Sequence, residues 1–212
     1  STPKPSSAAS DVYKRQLGVR LLADASPRHL VVFGTGVQAW EHALTFQDVF
    51  GLERVSVVGR DADRAAALAA RIEAELGVTA STADSEAVAE ADVVVTCTAA
   101  TAPLFDGTLV PEHATVVAMG SHTTDARETD DALARRATVA VESRDSAARE
   151  AGDVTLAIDS GALAGIEDTV TLAELVAGTA RRREGAPALF VTTGMPWQDL
   201  VVASAVAREV LG

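Results

Sequence analysis

From Leu17 onward, short valine-rich apolar runs alternate with stretches of helical spacing, and that alternation leaves few folds open. Runs this short and this rich in β-branched residues pair as strands, and helical segments between them make the pairing parallel. The runs are His29–Phe33, Arg54–Val58, Val78–Ser81, Asp92–Thr96, Thr115–Met119 and Thr138–Val141, with Ala188–Thr192 strand-like. Val37–Phe50 carries Val37, Trp40, Leu44 and Val49 at helical spacing, and Asp61–Leu76 is an alanine-rich helix that Gly77 terminates. Further helices are predicted over Ser85–Glu90, about Thr129–Arg136, Arg144–Ala151 and Leu172–Ala177. Pro196–Leu211 opens on proline and reads as a closing amphipathic helix. Near-continuous apolar strands are those covered on both faces, so the predicted fold is a doubly wound, mostly parallel α/β sheet.

Composition excludes several functions. Of 212 residues, 48% are hydrophobic and 23% charged, outside the range of a disordered tail. A net charge of −12 leaves no excess of cations for a general nucleic-acid binder, although backbone N–H groups still suit small phosphorylated ligands. Arg181–Arg183 reads as a solvated loop. Cys97, the single cysteine, allows neither an internal disulfide nor a cysteine-based metal site, and no metal is expected. No apolar run has membrane-spanning length and no apolar signal core opens the chain, so a cytoplasmic protein without a membrane partner is expected.

The first residues differ in character from the rest. Both lysines, Lys4 and Lys14, and the single tyrosine, Tyr13, fall there, whereas every cation other than histidine after Leu17 is arginine. Residues 1–16 are read as a foreign or disordered leader, because Ser6–Gln16 resembles translated adaptor sequence; a native, flexible polar arm is the other reading. On this reading the natural protein began further upstream.

The first strand runs into Gly34-Thr35-Gly36-Val37-Gln38-Ala39, a G-x-G-x-x-A turn that opens a helix. Gly34 permits the tight turn, Gly36 lets backbone approach a pyrophosphate, and Ala39 brings helix and strand together. The free N–H groups and partial positive charge of the helix N-terminus suit a Rossmann dinucleotide site, a structural turn in another α/β fold being the other reading. At the end of the second strand, where an acid would bind the ribose 2′-OH of NAD, stand Gly59 and Arg60, with Arg64 a turn later. NADP(H) is therefore the expected cofactor, with NAD(H) the second choice, and Arg60 and Arg64 are the candidates for a 2′-phosphate. The contrary reading makes both arginines surface charges and Asp61 a helix cap. The small residues Thr96, Cys97, Thr98 and Ala99, and then Met119, Gly120 and Ser121, lie at the carboxyl edge of the sheet, where the nicotinamide half would pass. Cys97 is read as an apolar filler, and His122 as a candidate to meet the substrate or nicotinamide.

Five segments together resemble the ornithine cyclodeaminase and mu-crystallin family. They are Gly34–Ala39, Thr96–Ala99, Gly120–Asp130, Glu150–Asp153 and Phe190–Asp199. Gly120-Ser121-His122-Thr123-Thr124-Asp125-Ala126-Arg127-Glu128-Thr129-Asp130 is the most specific, because a generic nucleotide domain has no reason to contain it. The resemblance implies a nucleotide domain, residues 17–194, and a C-terminal helix, residues 195–212, that returns to an N-terminal substrate and dimerisation domain. That domain, with its substrate arginines and catalytic lysine, is expected to be largely missing from this chain. His122 and Thr124 stand where cyclodeaminases typically carry aspartate and proline, which turns the expectation toward reduction of a cyclic imine or ketimine carboxylate, or amino-acid dehydrogenation. Ornithine cyclodeamination and cofactor binding without turnover remain the alternatives. Asp199 matches a family aspartate and is the second catalytic candidate; the substrate is expected to be a small amino-acid-derived molecule and the full-length protein a homodimer.

Overall fold

The computed structural model describes residues 7–121 and 123–194. A helix, α1 (Ser7–Leu22), leads into the first β-α-β unit: β1 (His29–Phe33), α2 (Val37–Phe50) and β2 (Arg54–Val58). Then come α3 (Ala62–Leu76), β3 (Thr79–Thr82), a 3-10 turn over Ser85–Glu90, β4 (Val93–Thr96) and β5 (Thr115–Ala118). The second half contains α4 (Asp131–Arg136), β6 (Thr138–Val141), α5 (Arg144–Glu150), α6 (Gly152–Asp159), β7 (Val170–Thr171), α7 (Leu172–Ala177) and β8 (Ala188–Val191).

The strands form one sheet in the order β3-β2-β1-β4-β5-β8-β6-β7, and every pairing is parallel. The doubly wound sheet is thus observed, and its strand order explains the sequence pattern. Alternation within β1 sends Leu30 and Val32 into the core beneath α1, α2 and α3, while Val31 and Phe33 enter the core of the opposite face. Both sets are buried, so the strand reads as continuously apolar. Chain direction reverses its outward growth between β1 and β4, which opens a crevice at their carboxyl ends.

Helix α1 corrects the reading of a disordered leader over residues 7–16. Residues 7–16 belong to a continuous helix, and no structural break marks the change in composition at Leu17. Val12, Val19 and Leu22 are buried. Lys14 pairs with Glu142 beyond β6, and Arg15 Nε donates to Thr192 Oγ1 beyond β8 at 2.9 Å. Gly18 lies so close to the Phe190 ring that no Cβ would fit between them.

Arg181–Arg183 is the expected loop, with Arg181 and Arg183 exposed, but the Arg182 side chain departs from a solvated reading because it is buried against backbone. Arg182 donates to the carbonyls of Ala186 at 2.7 Å and of Leu22 and His113 at 2.9 Å each. Arg183 donates to those of Arg136 at 2.9 Å and Ala137 at 2.7 Å. Helix α6 and the short β7 were not foreseen. Among the described residues, no helix is long and apolar enough to cross a membrane. The predicted closing helix, Pro196–Leu211, lies outside the described residues.

Candidate functional site

The site grows out of the turn between β1 and α2. Gly34 has φ +113°, and a Cβ there would stand 2.5 Å from the Cys97 carbonyl oxygen, so the turn excludes any side chain on both conformational and steric grounds. Its N–H donates to the Val58 carbonyl at 2.8 Å, which ties the turn to the end of β2. Gly36 is different. It is the N-cap of α2 at φ −94°, ψ −170°, a conformation open to any residue. A Cβ on it would meet no protein atom within 4 Å. The protein leaves this space open, beside the unpaired N–H groups that begin a helix of 14 residues.

These glycines line a cleft of about 860 Å³ at the carboxyl ends of β1, β2 and β4, a size that suits a nucleotide cofactor. Of the residues predicted from sequence, the cleft brings together Gly34, Thr35, Gly36, Gly59, Arg60 and Arg64, with Cys97, Thr98 and Ala99 on the opposite wall. Both arginines are exposed. Gly59 has a local reason to be glycine: a Cβ would stand 2.7 Å from Thr35 Cγ2 and 3.3 Å from Ala65 Cβ. An acid therefore has no room at the end of β2. The nearest one, Asp61, accepts from the Arg64 backbone N–H at 3.0 Å as the N-cap of α3.

The other predicted contacts lie outside the lining. Val37 is 70% exposed on the first turn of α2, and the Gln38 carbonyl accepts from His42 Nδ1 at 2.7 Å. Thr96 is fully buried, and its hydroxyl donates to Glu128 at 2.6 Å, so it belongs to the core rather than to the cleft. Met119 and Ser121 are buried. The Ser121 hydroxyl donates to the Ala126 carbonyl at 2.5 Å and accepts from the Gly152 N–H at 3.2 Å, which leaves it committed to its own loop. Gly120 donates its N–H to Glu128 at 2.7 Å. His122 and Asp199, the catalytic candidates, lie outside the described residues.

Cys97 is a packing group. Its sulfur lies 3.7 Å from Met119 Sδ and 4.0 Å from His42 Nδ1. Burial pushes the thiol well above its ordinary range, Arg15 offsetting this and Glu128 adding to it, which disfavours the thiolate. Sequence reasoning missed Ser85 and Leu104, which also line the cleft, and the carboxyl groups of Glu128 and Asp153 behind it. Both acids sit within the segments quoted for the family resemblance, and that was the only sign of them. Among the described residues, no cluster of histidine, cysteine and acidic side chains could hold a metal ion.

The description "Ornithine cyclodeaminase/mu-crystallin family" belongs to a family model that matches residues 8–212. The chain belongs to this family. It is 33% identical over 190 residues to the ketimine reductase mu-crystallin of Mus musculus, which covers 90% of this chain and 58% of that protein. The structure of Thermococcus litoralis Delta(1)-pyrroline-2-carboxylate reductase in complex with NADH and L-proline superposes with a TM-score of 0.89 at 25% identity, over 96% of this chain and 64% of that one. A probable ornithine cyclodeaminase from Bordetella pertussis gives 0.88 at 33% identity, over 96% and 65%. The chain thus spans about three-fifths of the length of these relatives.

Proposed function

We propose that the cleft holds NADPH in preference to NADH and that the full-length protein uses it to reduce the C=N bond of a cyclic imine or ketimine carboxylate. The observation that carries the cofactor reading is the open position at Gly36, at the N-terminus of α2 and within the cleft. Backbone N–H groups there would hold the pyrophosphate without adding charge to an acidic chain. Arg60 and Arg64 would pair with a 2′-phosphate, and the steric exclusion of an acid at Gly59 removes the group that would favour NAD.

Bound NADPH supplies the hydride in such a reduction; the imine carbon receives it, and a proton goes to the nitrogen, giving a cyclic or secondary amine and NADP⁺. In this reading residues 17–194, with the part of α1 that precedes them, form the nucleotide domain, and residues 195–212 would return to the substrate domain of a homodimer. His122 and Asp199 are the residues we assign to move a proton or border the substrate. The substrate reading draws support from the mouse ketimine reductase and the Thermococcus pyrroline-carboxylate reductase. The Bordetella relative keeps ornithine cyclodeamination as the second reading.

The test is an assay of the full-length gene product with Delta(1)-pyrroline-2-carboxylate and NADPH, run beside one for ammonia release from ornithine. Loss of NADPH absorbance without ammonia from ornithine is expected. Ammonia release without imine reduction would replace this reading with the lyase one.

A further inference from the structure

Glu128, in the loop between β5 and α4, is fully buried, and its carboxyl group is shared by the ends of two neighbouring strands. Oε1 accepts from the Thr98 N–H at 3.0 Å and the Thr98 hydroxyl at 2.5 Å. Oε2 accepts from the Thr96 hydroxyl at 2.6 Å, the Met119 N–H at 3.2 Å and the Gly120 N–H at 2.7 Å. Donors thus approach both oxygens, so an amide at this position would turn its own N–H₂ toward one of the two loops.

The clamp is anchored from behind and extended in front. The backbone N–H of Glu128 donates to Asp153 Oδ1 at 3.0 Å, and Thr129 donates to the same oxygen from its N–H at 2.8 Å and its hydroxyl at 2.6 Å. In front, the Thr98 hydroxyl accepts from the Ala100 N–H at 3.1 Å. Thr98, Ala99 and Ala100 form one wall of the cleft. Across from them the Gly34 turn packs so near the Cys97 carbonyl that a Cβ on Gly34 would stand 2.5 Å from its oxygen. The two loops pack closely, since a Cβ on Gly120 would collide with the Thr98 carbonyl and with the Glu128 carboxyl.

We propose that Glu128 is a cofactor-positioning residue: from outside the cleft it fixes the Thr98–Ala100 wall against the Gly34 turn and so sets the width that a dinucleotide meets. This role rests on the reading of the cleft as a dinucleotide site. Glu128 acts through Thr98 and is itself too deeply buried to touch a ligand. A carboxyl that served the fold alone could be replaced at a cost in melting temperature only. One that positions the wall changes affinity in protein that is still folded.

The experiment compares NADPH binding by fluorescence titration in the wild-type chain, Glu128→Gln, Glu128→Asp and the core control Val139→Ala, each well below its own melting temperature. Val139 is buried in β6, away from the cleft lining. Glu128→Gln is expected to raise Kd at least about tenfold through the displaced Thr98 amide, and to speed hydrogen exchange at Thr98 and Gly120. Glu128→Asp keeps the acid but loses the reach to span both loops; the same rise in Kd is expected, and it carries the test should Glu128→Gln fail to fold. Val139→Ala is expected to lower the melting temperature and leave Kd within about twofold of wild type. A Glu128 variant that is folded and binds within twofold of wild type overturns the proposal, as does a Kd that rises with lost melting temperature in Val139→Ala as well. A wild-type chain that takes up neither NADPH nor NADH overturns the cofactor reading, and the positioning role with it.

Discussion

Two glycines in one turn should respond in opposite ways to the same methyl group. At Gly36 the backbone already occupies extended geometry, and a Cβ meets no protein atom within 4 Å. Gly36→Ala loses the preference of an N-cap for glycine over alanine, roughly 0.5–1 kcal/mol. It gains about 0.4–1 kcal/mol from a less flexible unfolded chain, so stability should stay within about 1 kcal/mol of wild type. The new methyl projects into the cleft, where it would push a pyrophosphate off one or two backbone N–H groups. Charge-assisted hydrogen bonds are worth roughly 1.5–3 kcal/mol each, so Kd for NADPH should rise about 10- to 100-fold. Gly34→Ala meets φ +113° and a carbonyl oxygen at 2.5 Å; strain and collision together should cost about 3 kcal/mol or more of folding stability. Urea unfolding and NADPH fluorescence titration on the two variants separate these effects. Wild-type affinity in Gly36→Ala, or wild-type stability in Gly34→Ala, would refute the reasoning.

Three further outcomes are expected. Replacing Arg60 and Arg64 together by alanine should weaken NADPH roughly tenfold or more and leave NADH unchanged, because only the 2′-phosphate is lost as a partner; calorimetry with both nucleotides checks this. Asp153 is 3% exposed, and burial raises its carboxyl from an ordinary 3.8 to about 6 despite the donors on Oδ1, with Glu128 adding to the rise. The unfolded chain then holds fewer protons on this group between those two values, so its contribution to stability is lost as pH rises through that window and stays lost above it. The difference is roughly 3 kcal/mol at about 1.4 kcal/mol per pKa unit. Urea unfolding of Asp153→Asn at pH 4 and pH 7 should show the variant gaining roughly 2–2.5 kcal/mol on wild type at the higher pH, since pH 4 already lies inside the window; a pH-independent difference would contradict it. Arg182→Ala, which frees the carbonyls of Ala186, Leu22 and His113, should cost about 2–3 kcal/mol in urea unfolding without changing NADPH affinity.

Periodicity sufficed for the sheet because its strands are covered on both faces, which turns Leu30-Val31-Val32-Phe33 into an unbroken apolar run. The return of β8 between β5 and β6 left no such mark, since strand order is decided by packing between distant segments. Helix α1 was hidden by its composition: Lys14 and Arg15 look like solvent-facing residues, yet both are buried, against Glu142 and Thr192. The near wall of the cleft was legible because Gly34 and Gly59 are dictated by local geometry and Gly36 completes a known turn pattern, although its own backbone would accept any residue. The far wall was legible only as small residues. What holds it, Glu128 and Asp153, depends on hydrogen bonds between residues about 30 positions apart and 25 positions apart, and no local pattern announces such bonds.

The central claim is that the cleft between the β1–α2 turn and the Thr98–Ala100 wall is a dinucleotide site that favours NADPH. Calorimetric titration of the wild-type chain with NADPH and then NADH tests it most directly. Saturable binding of NADPH, tighter than that of NADH, is the predicted result; no uptake of either nucleotide, or clear preference for NADH, would contradict it.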